Sequence, residues 1–440
     1  MKTQQRIPSG KAERAGEFIR TGARIGVNYL KHYARRASGT GEEGREQLHE
    51  DNARVVYDSL SRLRGSALKV AQMMSMDKAI LPRAYAEKFQ MSQYSVPPLS
   101  GPLVIQTFVR SFGKTPAELF DSFSLSASNA ASIGQVHRAV KDGRPLAVKV
   151  QYPGVAASIR SDLKMVKPLA VKLMGLNEAD VNLYSTEVEA RLLEETDYEL
   201  ELRRSLEISA ACSGIPNLLF PAYYPELSSR FVLCMDWMPG MHLAEFLKTN
   251  PSQEVRDRAG QALWDFYEFQ IHRLRQVHAD PHPGNFLIQE DGRVAVIDFG
   301  CIKVIPDRFY YPYFSLINPD SLRDEKGTIG LFEALEFLHP VDGPGERKFF
   351  IPLFQKMIEM LGRPFREKEF DFGNDSYFNG IYDFAGELAA MPEVRNSKKA
   401  RGSRDGLYIN RTYFGLYSLL NQLKAKVHTH SAFLPQEVSA

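Results

Sequence analysis

HADPHPGN, residues His278 to Asn285, followed by IDFG, residues Ile297 to Gly300, is the stretch whose reading decides the fold. Asp280 comes two residues after His278, Asn285 five after Asp280, and Asp298 thirteen after Asn285. Two β-prone runs flank the turn Glu290-Asp291-Gly292, so the chain between 285 and 298 doubles back. That reversal carries the side-chain oxygens of Asn285 and Asp298 toward one place. Oxygen donors of this kind suit a hard divalent cation such as Mg2+, and an acid on the same loop, Asp280, suits an attacking hydroxyl or water. A polar loop and an Asp-Phe-Gly turn are each common alone. In this order and context they set the stretch apart from chance.

Protein kinases supply this chemistry from H-R-D-x-x-x-x-N and D-F-G. A second signal precedes it in the expected order: Leu146-Ala-Val-Lys149, a lysine on a β-prone run. An ammonium there neutralises nucleotide phosphates and needs a carboxylate to hold it. The carboxylate should sit on a following helix, where LLEETDYELE offers Glu194, Glu195, Asp197, Glu199 and Glu201. Charge runs are usually solvated faces. Glu201 is the candidate partner of Lys149, although spacing alone does not separate it from Glu194. No G-x-G-x-x-G precedes the lysine. The small-residue run Ala127 to Gln135, ASNAASIGQ, stands in its place. Small side chains still let backbone N–H groups approach phosphates, on a loop stiffer than glycine would make. Ala279 replaces the arginine of H-R-D, and GCIKVIP (Gly300–Pro306) runs into helical sequence with no A-P-E. The usual peptide platform is therefore not expected.

Working outward, the chain has 440 residues, enough for two or three domains, with 44% hydrophobic and 25% charged residues. The net charge of +2 predicts no nucleic-acid partner. Its distribution is uneven. Residues 1–40 carry nine Lys or Arg against Glu13 and Glu17, so this arm holds +7 and the remainder −5. Residues 11–36 show apolar positions at helical spacing, among them Ala15, Phe18, Ile19, Tyr29, Leu30 and Tyr33. Two readings stand: an anionic membrane surface contacted apolar face down, or a helix packed on the protein with a solvated basic face. SGTGEEG (Ser38–Gly44) is a break, and a second helix is expected over 46–76. Further helices are expected near 103–120 and over 186–206, and strands at 145–151 and 231–237. Beyond that the chain reads as mostly helical. Cys212, Cys234 and Cys301 lack metal or CxxC spacing and read as apolar fillers in a reducing compartment. No run approaches the length of a membrane span and no signal-peptide core is present, which predicts a cytoplasmic protein, with a membrane face as a candidate place of work.

The chain resembles the UbiB/AarF/ADCK atypical kinases, a family linked to coenzyme Q and other isoprenoid lipids. Five motifs carry the resemblance in order: RGSALKVAQMMS (Arg64–Ser75), AASIGQVHRA (Ala130–Ala139), LAVKVQYPGV (Leu146–Val155), EETDYELE (Glu194–Glu201), and HADPHPGN with IDFG. It implies an α+β, bilobal protein-kinase-like fold with a small β-containing N-lobe, a helical C-lobe and an N-terminal helical extension covering the active site. The corresponding boundaries are 1–45 for the basic segment and break, 46–120 for the extension, 121–236 for the N-lobe and 237–440 for the C-lobe. By the same resemblance Lys69 and Gln72 occupy the K-x-G-Q motif of the extension and gate the site. Glu195 and Asp197 form the E-x-D motif facing that lysine. Glu201 holds Lys149. Ala131, Ser132, Ile133 and Gly134 lie in the alanine-rich nucleotide loop, and Met235 to Trp237 form the hinge beside adenine. Asp280 is catalytic, Asn285 and Asp298 bind Mg2+, and the cofactors are ATP and Mg2+. The implied partners are isoprenoid lipid or quinone intermediates, and the implied activity is that of an atypical kinase or ATPase. Two departures stand out: Ala71 replaces the glycine of K-x-G-Q, and Asn129 replaces a further alanine. A small-molecule phosphotransferase of the aminoglycoside or choline type shares H-x-D-x-x-x-x-N but gives no account of Lys69, Gln72 or AASIGQVH. A non-catalytic ATP-binding module gives none of Lys149, Asp280, Asn285 and Asp298 together.

Overall fold

The computed structural model describes residues 16, 20, 21, 24, 48, 50–58, 99–130, 133–174, 185, 186, 189, 190, 192–318, 324–395, 397, 399, 401–430 and 433. Lys69, Gln72, Ala71, Ala131 and Ser132 lie outside them, as do most of the expected helices over 11–36 and 46–76; residues 51–58 are helical. The chain divides into two compact units, residues 1–203 with 222–237, and residues 204–221 with 238–440. It is α+β and kinase-like, as the motifs imply.

The first unit is built on an antiparallel sheet. Its strands are β1 (Ser122–Phe123), β2 (Asn129–Ala130), β3 (Gly134–Lys141), β4 (Arg144–Gln151) and, after β5 (Leu218–Leu219) of the second unit, β6 (Val232–Asp236). The order is β1-β3-β4-β6, with β2 also pairing β3. β4 is the central strand, so Leu146 to Gln151 is buried on both faces, which explains its nearly continuous apolar run. Asp142 and Gly143 make the β3–β4 hairpin turn with φ of 49° and 72°, the left-handed pair that a two-residue turn requires. Helix α1 (Gly101–Phe112) buries Val104, Thr107 and Phe108 and stops at Gly113, whose left-handed φ of 68° returns its N–H to the Val109 carbonyl. Helix α2 (Val155–Met174) follows β4.

The helix expected over 186–206 is interrupted. Residues 192–195 are helical, Thr196 turns, and helix α3 (Tyr198–Cys212) starts afresh. The reason is local: Asp197 accepts the Leu200 N–H at 3.0 Å, an N-cap bond that competes with continuing the helix.

The second unit is mostly helical. α4 (Gln253–Phe269) is capped by Ser252 and passes into a π-turn, Gln270–Leu274, which ends at Arg275 with φ of 53°. Three short strand groups follow. β7 (Gln276–His278) pairs β10 (Ile302–Val304), while β8 (Phe286–Ile288) and β9 (Val294–Val296) form a hairpin joined by β5. The turn between β8 and β9 is at Glu290-Asp291-Gly292, with Gly292 at φ 87°. Helices α5 (Asp307–Ser315), α6 (Glu325–Ala334), α7 (Pro344–Leu361), α8 (Asp375–Ala390) and α9 (Arg404–Leu423) complete it, with β11 (Glu369–Asp371) paired to β12 (Lys426–His428). Trp264, Phe266, Tyr267, Phe299, Tyr310 and Leu420 are among its fully buried core. All three cysteines are buried, and burial pushes the Cys212 and Cys234 thiols up to about 12, so they act as small apolar fillers. No helix among the described residues is long and apolar enough to cross a membrane.

Candidate active site

Lys149 stands on β4, opposite Val136 of β3 and Leu233 of β6. Its ammonium donates to Glu201 Oε1 at 2.8 Å and Oε2 at 3.1 Å. The Tyr198 ring centroid lies 5.0 Å from it. Both charges are buried, and a buried pair with two bonds is the arrangement that makes removal of one partner costly. Of the acids in the 194–201 run, Glu201 is the one that grips the lysine. Tyr198 and Glu201, three residues apart in the first turn of α3, lie on one face of that helix. Glu195 is buried at the end of the preceding turn, and Asp197 caps α3. Ile133 is buried in the core of this unit, and Gly134 opens β3 opposite Gln151. A Cβ on Gly134 would lie 2.7 Å from the Val150 carbonyl oxygen and 2.6 Å from the Tyr198 hydroxyl, so only glycine fits. Met235 is buried on β6. Trp237 N–H donates to the Pro145 carbonyl at 3.0 Å, and the Arg138 guanidinium lies 5.1 Å from its ring centroid.

In the second unit the HADPHPGN loop is held by its own polar groups. The Asn285 Nδ2 donates to the Asp280 carbonyl at 2.8 Å, and His282 N–H donates to the same carbonyl at 2.7 Å. His282 Nδ1 accepts Gly284 N–H at 2.9 Å, which fixes that nitrogen as unprotonated. Ile297 N–H donates to the Asn285 carbonyl at 3.0 Å, tying the loop to the strand that leads into Asp298. Ala279 N–H donates to the Cys301 carbonyl at 2.8 Å, extending the β7–β10 ladder past His278 and Ile302. Asp280 and Asp298 are thus carried on adjacent, cross-linked segments. Gly300 N–H donates to Asp298 Oδ1 at 2.9 Å. Beneath them, burial pushes the Tyr267 phenol well above its ordinary range, with the charges of Asp280 and Cys301 adding to the effect.

The donor chemistry fits Mg2+. The Asn285 amide uses its nitrogen on the Asp280 carbonyl, so its oxygen is the atom that can accept or ligate, and Asp298 supplies a carboxylate. Among the described residues no group of three or more His, Cys, Asp or Glu could hold a metal alone. Mg2+ takes one or two protein carboxylates and completes its shell with phosphate and water.

Two contacts under this loop escape a motif reading. The buried Gln270 of the π-turn accepts His278 N–H at 3.0 Å and donates to the Phe266 carbonyl at 3.1 Å. Gly415 of α9 faces Pro281: an added Cβ would lie 2.1 Å from Pro281 Cγ. Gln270 and His278 are eight residues apart, Gly415 and Pro281 are far apart in the chain, and no motif marks either pair.

A strand lysine held by a helix glutamate, and an Asp–Asn loop cross-linked to an Asp-Phe-Gly turn, define a protein-kinase-like chain. Residues 91–330 match the model of the ABC1 atypical kinase-like domain, and the chain belongs to that family. It is 26% identical to "Probable serine/threonine-protein kinase abkA" of Dictyostelium discoideum, over 97% of this chain and 79% of that protein. It is 32% identical to "AarF domain-containing protein kinase 1" of Xenopus tropicalis, over 69% of this chain and 60% of that protein. To "Atypical kinase COQ8, mitochondrial" of Saccharomyces cerevisiae it is 26% identical, over 97% of this chain and 85% of that protein. A solved structure titled "The complex structure of Rv3197-erythromycin from Mycobacterium tuberculosis" superposes with a TM-score of 0.60 at 25% identity, covering 89% of this chain and 97% of that one.

Proposed function

We propose that this protein is an atypical kinase or ATPase that binds Mg-ATP and supports isoprenoid lipid or quinone metabolism at a membrane surface. The reading rests chiefly on the cross-linked loop pair of the second unit, in which Asn285 is locked to Asp280 and the following strand leads directly to Asp298. In this reading Lys149, held by Glu201, meets the nucleotide phosphates, and Ala131 to Gly134 with Met235 and Trp237 border the nucleotide. Asn285 and Asp298 hold Mg2+, which when bound neutralises charge on the phosphates. Asp280 orients the attacking hydroxyl or water and takes its proton. Lys69 and Gln72, with Glu195 and Asp197, gate access. The yeast relative carries the name of an atypical kinase, and the likeness to it supports the assignment of ATP chemistry; quinone-type lipids as the beneficiaries follow from the family resemblance of the motifs.

The test is a product assay with labelled ATP, run with and without anionic vesicles and an isoprenoid-phenol mimic. Phosphate release or transfer that rises with vesicles and mimic supports the proposal. Transfer to a hydrophilic small alcohol, with no response to vesicles, would favour the phosphotransferase alternative. Binding without turnover under any condition would favour the non-catalytic module. Flotation with anionic vesicles addresses the +7 arm of residues 1–40. The full chain should float in low salt, and a variant lacking residues 1–37 should float less, since each basic residue near such a surface contributes about 1 kcal/mol. Equal flotation of the two would leave the arm as a helix packed on the protein.

A further inference from the structure

AASIGQVHRA contains two side chains that none of the proposed nucleotide contacts uses, Gln135 and His137. Both are fully buried, on the same face of β3. They form a single chain of hydrogen bonds. His137 Nδ1 lies 2.7 Å from the Ser124 carbonyl oxygen, which can only accept, so Nδ1 carries the proton. His137 Nε2 lies 2.8 Å from Gln135 Nε2 and therefore accepts from the amide. Gln135 Oε1 in turn accepts Leu99 N–H at 2.7 Å. Every bond points the same way, from Leu99 through Gln135 and His137 to Ser124. Leu99 is itself buried immediately ahead of Ser100, the N-cap of α1. At the other end, Ser124 N–H donates to the Arg138 carbonyl at 2.9 Å and Ser128 N–H to the Val136 carbonyl at 2.8 Å. The arch of residues 124–130, which begins the small-residue run, is thus laid along β3. The Phe123 ring stacks on the imidazole with centroids 5.0 Å apart.

This polarity leaves no slack. A proton on His137 Nε2 would face the Gln135 amide nitrogen, donor against donor. Turning the amide over would set its nitrogen against Leu99 N–H instead, and one buried donor would again lack an acceptor.

We propose that Gln135 and His137 are positioning residues that tie the chain at Leu99 to the arch carrying the small-residue run, so that the two segments hold or loosen together. That the arch bears on nucleotide binding rests on the function proposed above; the coupling itself does not.

Amide exchange on the full-length protein tests this, with Gln135→Met and His137→Phe as variants. His137 does not touch Leu99, yet His137→Phe should speed exchange of the Leu99 amide about 10-fold, the effect of losing one net hydrogen bond. Gln135→Met should in turn speed exchange at Ser124 and Ser128, while the β4 amides of Val148 and Val150 stay unchanged. Acceleration confined to each variant's direct neighbours, or spread evenly over the sheet, would overturn the coupling. Imidazole nitrogen NMR of the wild-type chain decides the matter even if both variants fold poorly. His137 must be neutral and protonated at Nδ1, and an Nε2-protonated tautomer or an imidazolium at pH 7 would overturn the relay. Adding Mg-ATP should slow exchange at Leu99 and at 124–130 together in the wild type, but only at 124–130 in Gln135→Met. If the wild type shows no response to Mg-ATP, the nucleotide reading fails, and the relay is judged on the exchange coupling and the tautomer.

Discussion

The Lys149 ammonium lies 2.8 Å from Glu201 Oε1 and 3.1 Å from Oε2, with both side chains buried in the first unit. Such a pair is held as much by the penalty for breaking it as by its own attraction. Glu201→Leu should cost about 3–5 kcal/mol, because a buried ammonium loses the carboxylate that holds it by two hydrogen bonds. The double change Lys149→Met with Glu201→Leu should recover most of that loss, since neither charge remains. Urea unfolding of the two single variants and the double variant measures the coupling. The double variant should fold well and still fail to respond to Mg-ATP, which separates the stability role of the pair from its proposed role at the phosphates. A double variant as unstable as Glu201→Leu alone would show that the pair is not the unit that matters.

Gly415 sets how closely α9 approaches the HADPHPGN loop. A methyl there would meet Pro281 Cγ at 2.1 Å and Cβ at 3.0 Å, and a proline ring cannot rotate out of the way. Gly415→Ala should therefore destabilise the second unit by about 1–3 kcal/mol despite the higher helix propensity of alanine. It should also weaken the Mg-ATP response by displacing Asp280. Gly380, on α8 with no atom near its missing Cβ, is the control. Gly380→Ala should be neutral or stabilising in the same urea titration.

Much of this architecture was legible because the chemistry is concentrated in short motifs. The Asp–Asn loop, the strand lysine and the turn at Glu290-Asp291-Gly292 each announce their local structure through residue type and spacing. The β4 strand reads correctly because a central strand is apolar on both faces. The helix expected over 186–206 failed because Asp197, read as one more acid in a charge run, is an N-cap that breaks the helix at Thr196. The helix that restarts at Tyr198 carries Glu201, whose carboxylate bonds Lys149. Contacts such as Gln270 with His278, Gly415 with Pro281 and Gln135 with Leu99 were not legible. The first closes across the π-turn that ends at Arg275, the other two join residues far apart in the chain, and a glutamine or a glycine carries no mark of the partner it will meet.

Asp342 should contribute to the acid limb of the stability curve. The Arg401 guanidinium beside it, then Lys399 and the His339 N–H, hold its carboxyl well below the usual carboxylate range, and burial opposes them only in part. A depressed folded-state pKa means that the unfolded chain binds the proton first. The stability from this cluster is therefore complete above the unfolded value of 3.8 and is lost as pH falls through the lower folded value. Asp342→Asn should lower stability at pH 7 and flatten the pH dependence of the urea midpoint below about 4. An unchanged slope in that window would show that the Arg401 and Lys399 contacts do not persist in solution.

His137 should shape the same curve at milder pH. Burial pushes its imidazole below the usual 6.5, opposed by the bond to the Ser124 carbonyl. The unfolded chain then takes up a proton that the folded one refuses, so stability is full above 6.5 and declines as pH drops from there toward the folded value. The urea midpoint of the wild type should fall between pH 6.5 and 5 more steeply than that of His137→Phe. Parallel slopes would mean that the fold does not lower the His137 pKa.

Thermal-shift titration reads the magnesium-dependent nucleotide site proposed for Asp298 and Asn285. The wild type should melt higher with Mg-ATP than with ATP and a chelator. Asp298→Asn, which removes one carboxylate charge from the cation, should keep its own melting temperature and lose that increment. An equal Mg-ATP shift in wild type and Asp298→Asn, with both correctly folded, would contradict the account.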